Sequence, residues 1–141
     1  MCALAIAWWA LAGCAGSKGP RFQRVITHWG TYAVDDGVQL QVSTLGMSQM
    51  RYELRHVPSN RVLISDVGRD TKGWFFVWDD RGRLWAHWAD LGTVVWVPVS
   101  GDGFQRQILV PGSSLPRDVP PEVLQHLPGW ARKSLGLAPG S

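Results

Sequence analysis

The sequence has few cysteines, no long hydrophobic run and no excess of either charge. Both cysteines, Cys2 and Cys14, fall near the amino terminus, so a disulfide framework cannot hold the rest of the chain. The apolar run 3–12 is well short of the roughly 20 residues that a helix needs to cross a bilayer. Basic and acidic residues interleave and the formal net charge is +3, which argues against a nucleic-acid partner. The fold is therefore expected to rely on packing alone.

Signatures of catalysis and of metal binding are also missing. The histidines occur singly, with no spacing typical of a zinc site. They are His28, His56, His87 and His126. Asp79, Asp80 and Asp90 lack the alternate spacing of a calcium-binding loop, so we expect them to lie in solvated turns. The sequence predicts no metal, no cofactor and no catalytic residue.

A short motif follows the apolar run. Its residues are Leu11, Ala12, Gly13 and Cys14, and they resemble the lipobox of bacterial lipoproteins. The resemblance implies that residues 1–13 are a signal peptide and that Cys14 becomes the first residue, with lipid on its sulfur. Several acyl chains anchor a protein stably, because each buried methylene contributes about 0.8 kcal/mol. The alternative is a buried amino-terminal segment in which Cys14 is an ordinary thiol.

The residues after the motif suggest a tether and a destination. The polar, flexible stretch 14–22 is typical of a tether between anchor and domain. In the lipoprotein family, an aspartate directly after the cysteine favours retention in the inner membrane. Ala15 stands at that position, so the resemblance favours the outer membrane of the cell envelope.

The pattern over residues 23–112 predicts an all-β domain. Apolar and polar residues alternate in short runs, and turn residues recur at the spacing of a β-sandwich or small open barrel. Pro58, Ser59 and Asn60 interrupt such a run, so residues 49–66 are expected to form a hairpin. Residues 113–141 are rich in proline and glycine and predict a peripheral tail. Pro120, Pro121 and Glu122 mark the start of one short helix within it.

The most aromatic segment predicts a second hairpin. Trp74 to Trp78 and Leu84 to Trp88 flank a turn in which Gly82 suits a positive φ. If Asp79 faces Arg83, one side of this hairpin carries alternate residues that begin with Trp74 and end with Trp88. The other side carries Phe75, Val77, Trp85 and His87. Both sides are apolar, so the hairpin is either covered on both or presents one aromatic surface.

The sequence has nine tryptophans, which invites two interpretations. The favoured one is core packing, because a disulfide-free domain of this size needs large buried side chains. The alternative is a carbohydrate or cell-wall binding site in which Trp85, His87 and Trp88 contact a sugar. Exposure of the two tryptophans discriminates between these, since a buried pair offers no ring face for stacking.

The function predicted from these features is a non-catalytic one. We expect a lipid-anchored protein of the bacterial cell envelope that acts in binding or assembly, held to the membrane through Cys14. Its partner would be an envelope protein, which an aromatic surface would suit, or a glycan. A small hydrolase built around His87 and Asp90, with Ser100 nearby in sequence, is the further alternative, but no nucleophile elbow accompanies them.

Overall fold

The computed structural model describes residues 22–70, 73–101 and 103–137. The lipobox-like motif and nearly all of the expected tether lie outside these residues. The strands are β1 (Val25–Ile26), β2 (Gly30–Asp35), β3 (Val38–Gly46), β4 (Gln49–His56), β5 (Arg61–Arg69), β6 (Trp74–Trp78), β7 (Leu84–Trp88), β8 (Gly92–Val99) and β9 (Gly103–Ile108), and the helices are α1 (Pro121–Leu124) and α2 (Gly129–Ser134). No helix in these ranges is long and apolar enough to span a membrane.

The strands form two antiparallel sheets that pack face to face. One has the order β1-β6-β7-β8-β9 and the other the order β2-β3-β4-β5. Between them lies a core of side chains from both sheets, including the fully buried Leu40, Tyr52, Leu54 and Phe76. Successive side chains of a strand point to opposite faces of its sheet, so alternate residues of these strands enter this core. The all-β prediction is confirmed, and of its two forms the structure has the sandwich.

The aromatic hairpin has the register expected from its turn. Trp74 pairs with Trp88, Phe75 with His87 and Val77 with Trp85. Gly82 has a φ of +68°, which a residue with a Cβ rarely adopts. The predicted assignment of residues to the two faces of the hairpin is therefore correct. The hairpin lies in the middle of its sheet, and other side chains cover both of its faces.

The carboxyl-terminal segment forms the second cover. The outer face of the five-stranded sheet presents Phe75, Val77, Trp85 and Val95, and a second core forms on it. The covering residues are Leu109, Val119, Val123, Leu127 and Ala131, all buried. The expected helix begins at Pro121, but a second helix, α2, follows it. The segment expected as a peripheral tail is therefore packed on the sheet, where it contributes four buried side chains to the second core.

The sandwich has two distinct ends. Phe22 lies with Asp35 and Trp78 around one cavity, and we call this the Phe22 end. β1 runs antiparallel to β6, so the chain reaches the opposite end at Trp29, where the two tryptophans Trp29 and Trp74 are in contact. We call this the Trp74 end.

Candidate functional site: an aromatic and histidine cleft

A cleft of about 400 Å³ opens at the Trp74 end. It lies between the outer face of the five-stranded sheet and the segment that carries α1. Its lining combines aromatic and apolar side chains with a few polar groups, the usual make-up of a small-molecule site. The lining residues are Val25, Thr27, Gly73, Trp74, Phe75, His87, Ala89, Glu122, Gln125 and His126. We call it the His87–His126 cleft.

Three rings from three segments meet in this cleft. Phe75 on β6 stacks on His87 of β7, with ring centroids 5.0 Å apart and an interplanar angle of 28°. His126 follows α1 and tilts against the same phenyl ring at 4.8 Å. The two imidazoles lie 5.4 Å from each other. Docking of the carboxyl-terminal segment onto the sheet therefore brings together two histidines that are far apart in the sequence.

The orientation of His87 is fixed from the neighbouring strand. His87 pairs with Thr93 of β8, and its Nδ1 shares a hydrogen bond of 2.8 Å with the Thr93 hydroxyl. Partial burial lowers the pKa of the His87 imidazole below its ordinary value of 6.5, and the adjacent His126 lowers it further. His87 is therefore held in the neutral form at neutral pH, so it presents a hydrogen-bonding ring and no charge.

Glu122 brings a carboxylate to the cleft wall, and that charge is balanced. Arg24 donates from Nε to Oε1 of Glu122 at 3.1 Å, and its Nη1 contacts Asp80 at 3.1 Å. The other carboxylate oxygen, Oε2, is buried and has no hydrogen-bond partner. Buried polar atoms are normally satisfied, so an unpaired acceptor beside a cleft is a notable feature.

A tryptophan that lines the cleft, Trp74, contacts a second tryptophan outside the lining, Trp29, and we call this pair the rim. Trp74 is half-buried and lines the cleft, and Trp29 lies beside it with ring centroids 5.1 Å apart. Trp74 donates from Nε1 to Asp70 Oδ1 at 2.9 Å, which fixes the orientation of its ring. Trp29 is 40% exposed, unlike the tryptophans of the two cores. The cleft therefore opens beside an accessible indole.

The two cores contain Trp85 and Trp88, the tryptophans of the alternative sugar-binding interpretation. Trp85 is 0% exposed, and its Nε1 donates to Asp79. Trp88 is 3% exposed, lies on the other face of the sheet, and donates to the Met50 sulfur at 3.1 Å. Neither indole face is available for stacking, because packing occupies both. Of the three residues of that interpretation, only His87 lines a cleft.

Two other expectations concern polar residues. Ser100 follows β8 at the Phe22 end, so at roughly 3.3 Å per residue it lies about 20 Å along the strand from Thr93, the partner of His87. Ser100 is thus out of reach of His87.

Asp79 is not solvated as expected: it is 5% exposed and bound to Arg83. Within the described ranges, no group of three or more acidic, histidine or cysteine side chains is arranged to hold a metal ion.

A second cavity, of about 440 Å³, lies at the Phe22 end. Its lining consists largely of turn and strand-end residues, among them Pro98, Gly101 and Gly103. The one histidine there, His56, is bound at 2.7 Å to Ser59 within its own turn. The His87–His126 cleft is the better candidate, because it concentrates aromatic rings, two imidazoles and an unsatisfied carboxylate oxygen.

The residues that build this site were only partly visible in the sequence. His126 and Glu122 carry no motif, and they reach the cleft because Val123 and Leu127 anchor their segment on the sheet. In comparisons with known proteins, the chain matches no protein-family model, no curated protein and no solved structure.

Proposed function

We propose that this chain is a lipid-anchored protein of the bacterial cell envelope with a non-catalytic binding role, and that the His87–His126 cleft holds its ligand. The observation that supports the binding role is the meeting of Phe75, His87 and His126 at an open cleft. The lipobox-like motif ending at Cys14 supports the anchor.

The position of the cleft suits an anchored binding protein. The described chain begins at the Phe22 end, and the cleft lies at the Trp74 end. A lipid on Cys14 and a tether to Phe22 would therefore keep the cleft facing away from the membrane that holds the anchor. A ligand in the aqueous space of the envelope would reach it without competition from the lipid surface.

The anchor is tested by expression in a bacterial host, alongside a Cys14→Ala variant. We expect the wild-type chain to lose residues 1–13, to gain the mass of its acyl chains and to fractionate with membranes. The variant should keep residues 1–13 and carry no acyl chains, and it should be absent from the membrane fraction. An unmodified wild-type chain that retains residues 1–13 would rule out the anchor.

The binding role is tested without the anchor, so that lipid cannot carry the protein to the envelope. The Cys14→Ala chain is mixed with isolated envelope material and sedimented, in parallel with the same chain carrying His126→Ala. His56→Ala is the matched control, because it removes a histidine at the opposite end. We expect His126→Ala alone to reduce sedimentation. No sedimentation, or equal sedimentation of all three, would rule out binding through the cleft.

A further inference from the structure

The size of the cleft restricts its ligand. About 400 Å³ is at the lower end of the range of ligand-binding pockets, roughly 300–1,000 Å³. This space accommodates a ligand of one or two rings, not a folded partner. An oligomer of rings would place one unit in the cleft and another across the rim at Trp29.

The indoles of Trp29 and Trp74 suit a ligand ring that has an apolar face. Trp29 is exposed, and Trp74 beside it is held by its hydrogen bond to Asp70. Indoles supply large, rigid apolar contact, and fixing a ring in advance reduces the entropy lost on binding. By contrast, Phe75 is already covered by His87 and His126, so it supports the cleft and does not provide its open face.

The charge balance argues against a strongly charged ligand. Among the described lining residues, Glu122 is the one side chain that is acidic or permanently basic. Arg24 compensates it at 3.1 Å, and His87 is neutral at pH 7. A charged ligand would lose its hydration without gaining a free opposite charge to offset that loss.

The polar groups of the cleft suit a ligand with hydroxyls. Glu122 Oε2 is an acceptor without a donor, and a buried polar atom left unpaired is unfavourable. Gln125 is exposed at the same wall and carries both a donor and an acceptor. A hydroxyl both donates and accepts, so one polyhydroxylated ring could bind Gln125 directly, and it would satisfy the buried Glu122 Oε2 once that carboxylate turns towards the cleft.

We infer that the His87–His126 cleft binds a neutral saccharide, with one sugar ring against Trp74 and Trp29 and its hydroxyls on Glu122 and Gln125. This inference rests on the proposed function and names its ligand class. Two sources share the chemistry: the acetamido sugars of a cell-wall glycan and unsubstituted glucans. The acetamido group is the feature that distinguishes them.

The test is calorimetric titration of the full chain, in detergent where it is lipidated. Chitotetraose represents acetamido sugars, cellotetraose and maltotetraose represent glucans, and tetragalacturonate is the charged comparison. We expect at least one neutral oligosaccharide to bind and the charged one to bind at least tenfold more weakly. Preference for chitotetraose would assign the cell-wall source, and preference for a glucan the other.

Two variants locate the binding. Trp29→Ala removes an exposed ring at the cleft and should weaken binding about tenfold, whereas Phe22→Ala removes a comparably exposed ring at the opposite end and should change it less than twofold. Trp74→Phe, which keeps a ring in place, should also weaken it. Absence of binding by every neutral oligosaccharide, or equal loss in the Trp29 and Phe22 variants, would overturn the inference. If cleft-dependent sedimentation with envelope material persisted, the proposed function would stand with another ligand class.

Discussion

Arg83 and Asp79 form an ion pair inside the protein: Arg83 Nε donates to Asp79 Oδ2 at 2.6 Å, and both side chains are more than nine-tenths buried. Asp79 also accepts from the indole of Trp85 at 2.8 Å, and the guanidinium lies 5.1 Å from that ring. Arg83 Nη2 donates to the Asp118 carbonyl at 2.7 Å. The pair therefore fastens the turn between β6 and β7 to the carboxyl-terminal segment.

Removing one member of this pair should be strongly destabilising. Asp79→Ala removes the buried partner of Arg83 and leaves only the more exposed Asp118 carboxylate, at 3.2 Å, to compensate its charge. We therefore expect a loss of about 3 kcal/mol in the free energy of unfolding, the lower end of the range for breaking a buried ion pair. Urea unfolding measures it. Asp80→Asn is the control, because Asp80 is 91% exposed and its contact with Arg24 is expected to contribute about 0–1 kcal/mol. Similar losses in the two variants would show that the buried pair contributes little.

The register of the aromatic hairpin, β6 and β7, was predictable because its determinants are local in sequence. Gly82 and the aspartates define the turn, and the turn defines the register from Trp78 to Trp74. A two-residue periodicity then assigns every side chain to a face. Composition alone left two alternatives open, a hairpin covered on both faces or one with an exposed aromatic surface, and the two cores show that both faces are covered.

The cover on the outer face was not predictable in the same way. Val119, Val123, Leu127 and Ala131 are spaced by four, but prolines interrupt the segment, so only Val123 lies in α1 and only Ala131 in α2, and no single amphipathic helix forms. Helices this short are stabilised by packing and carry little signal of their own. Both the cleft and the burial of Asp79 depend on this docking, which is why neither could be read from the sequence.

Gly68 on β5 makes room for Trp88. A Cβ at this position would lie 2.5 Å from Cε2 and 2.6 Å from Nε1 of the buried indole. Gly68→Ala should therefore lower the free energy of unfolding by about 1–3 kcal/mol, because the ring cannot withdraw from a packed core. Gly103→Ala, also in a strand, would meet Val99 at an ordinary 3.4 Å and should have a much smaller effect. Thermal unfolding of the two variants gives the comparison, and equal stability would contradict it.

Tyr52 should make stability fall in alkali. Its ring is fully buried, its hydroxyl donates to Asp66 at 3.1 Å, and it accepts from the Trp96 indole at 3.1 Å. Burial raises the pKa of Tyr52 far above its ordinary value of 10.0, with the Asp66 charge acting in the same direction. Above pH 10 the unfolded chain releases a proton that the folded chain retains, so the free energy of unfolding decreases as pH rises.

Tyr52→Phe removes that titration and tests its assignment. The variant leaves the Trp96 indole without its acceptor, so we expect a cost of about 1–3 kcal/mol at pH 7. The further loss between pH 7 and pH 11 should be smaller than in the wild type. Urea unfolding at both pH values measures it. An unchanged alkaline loss would mean that other groups are responsible.

His87 should make stability fall in mild acid. Burial and the neighbouring His126 lower its pKa, so below the ordinary value of 6.5 the unfolded chain takes up a proton that the folded chain does not. The free energy of unfolding therefore decreases as pH falls from 6.5 through the pKa of folded His87.

His126→Ala removes the neighbouring imidazole and admits water to the ring, so the His87 pKa should rise towards 6.5. NMR titration of the imidazole protons reads this directly, with His56→Ala as the variant in which the His87 pKa should not move. A His87 pKa that is unaffected by the loss of His126 would show that the two rings do not interact in solution.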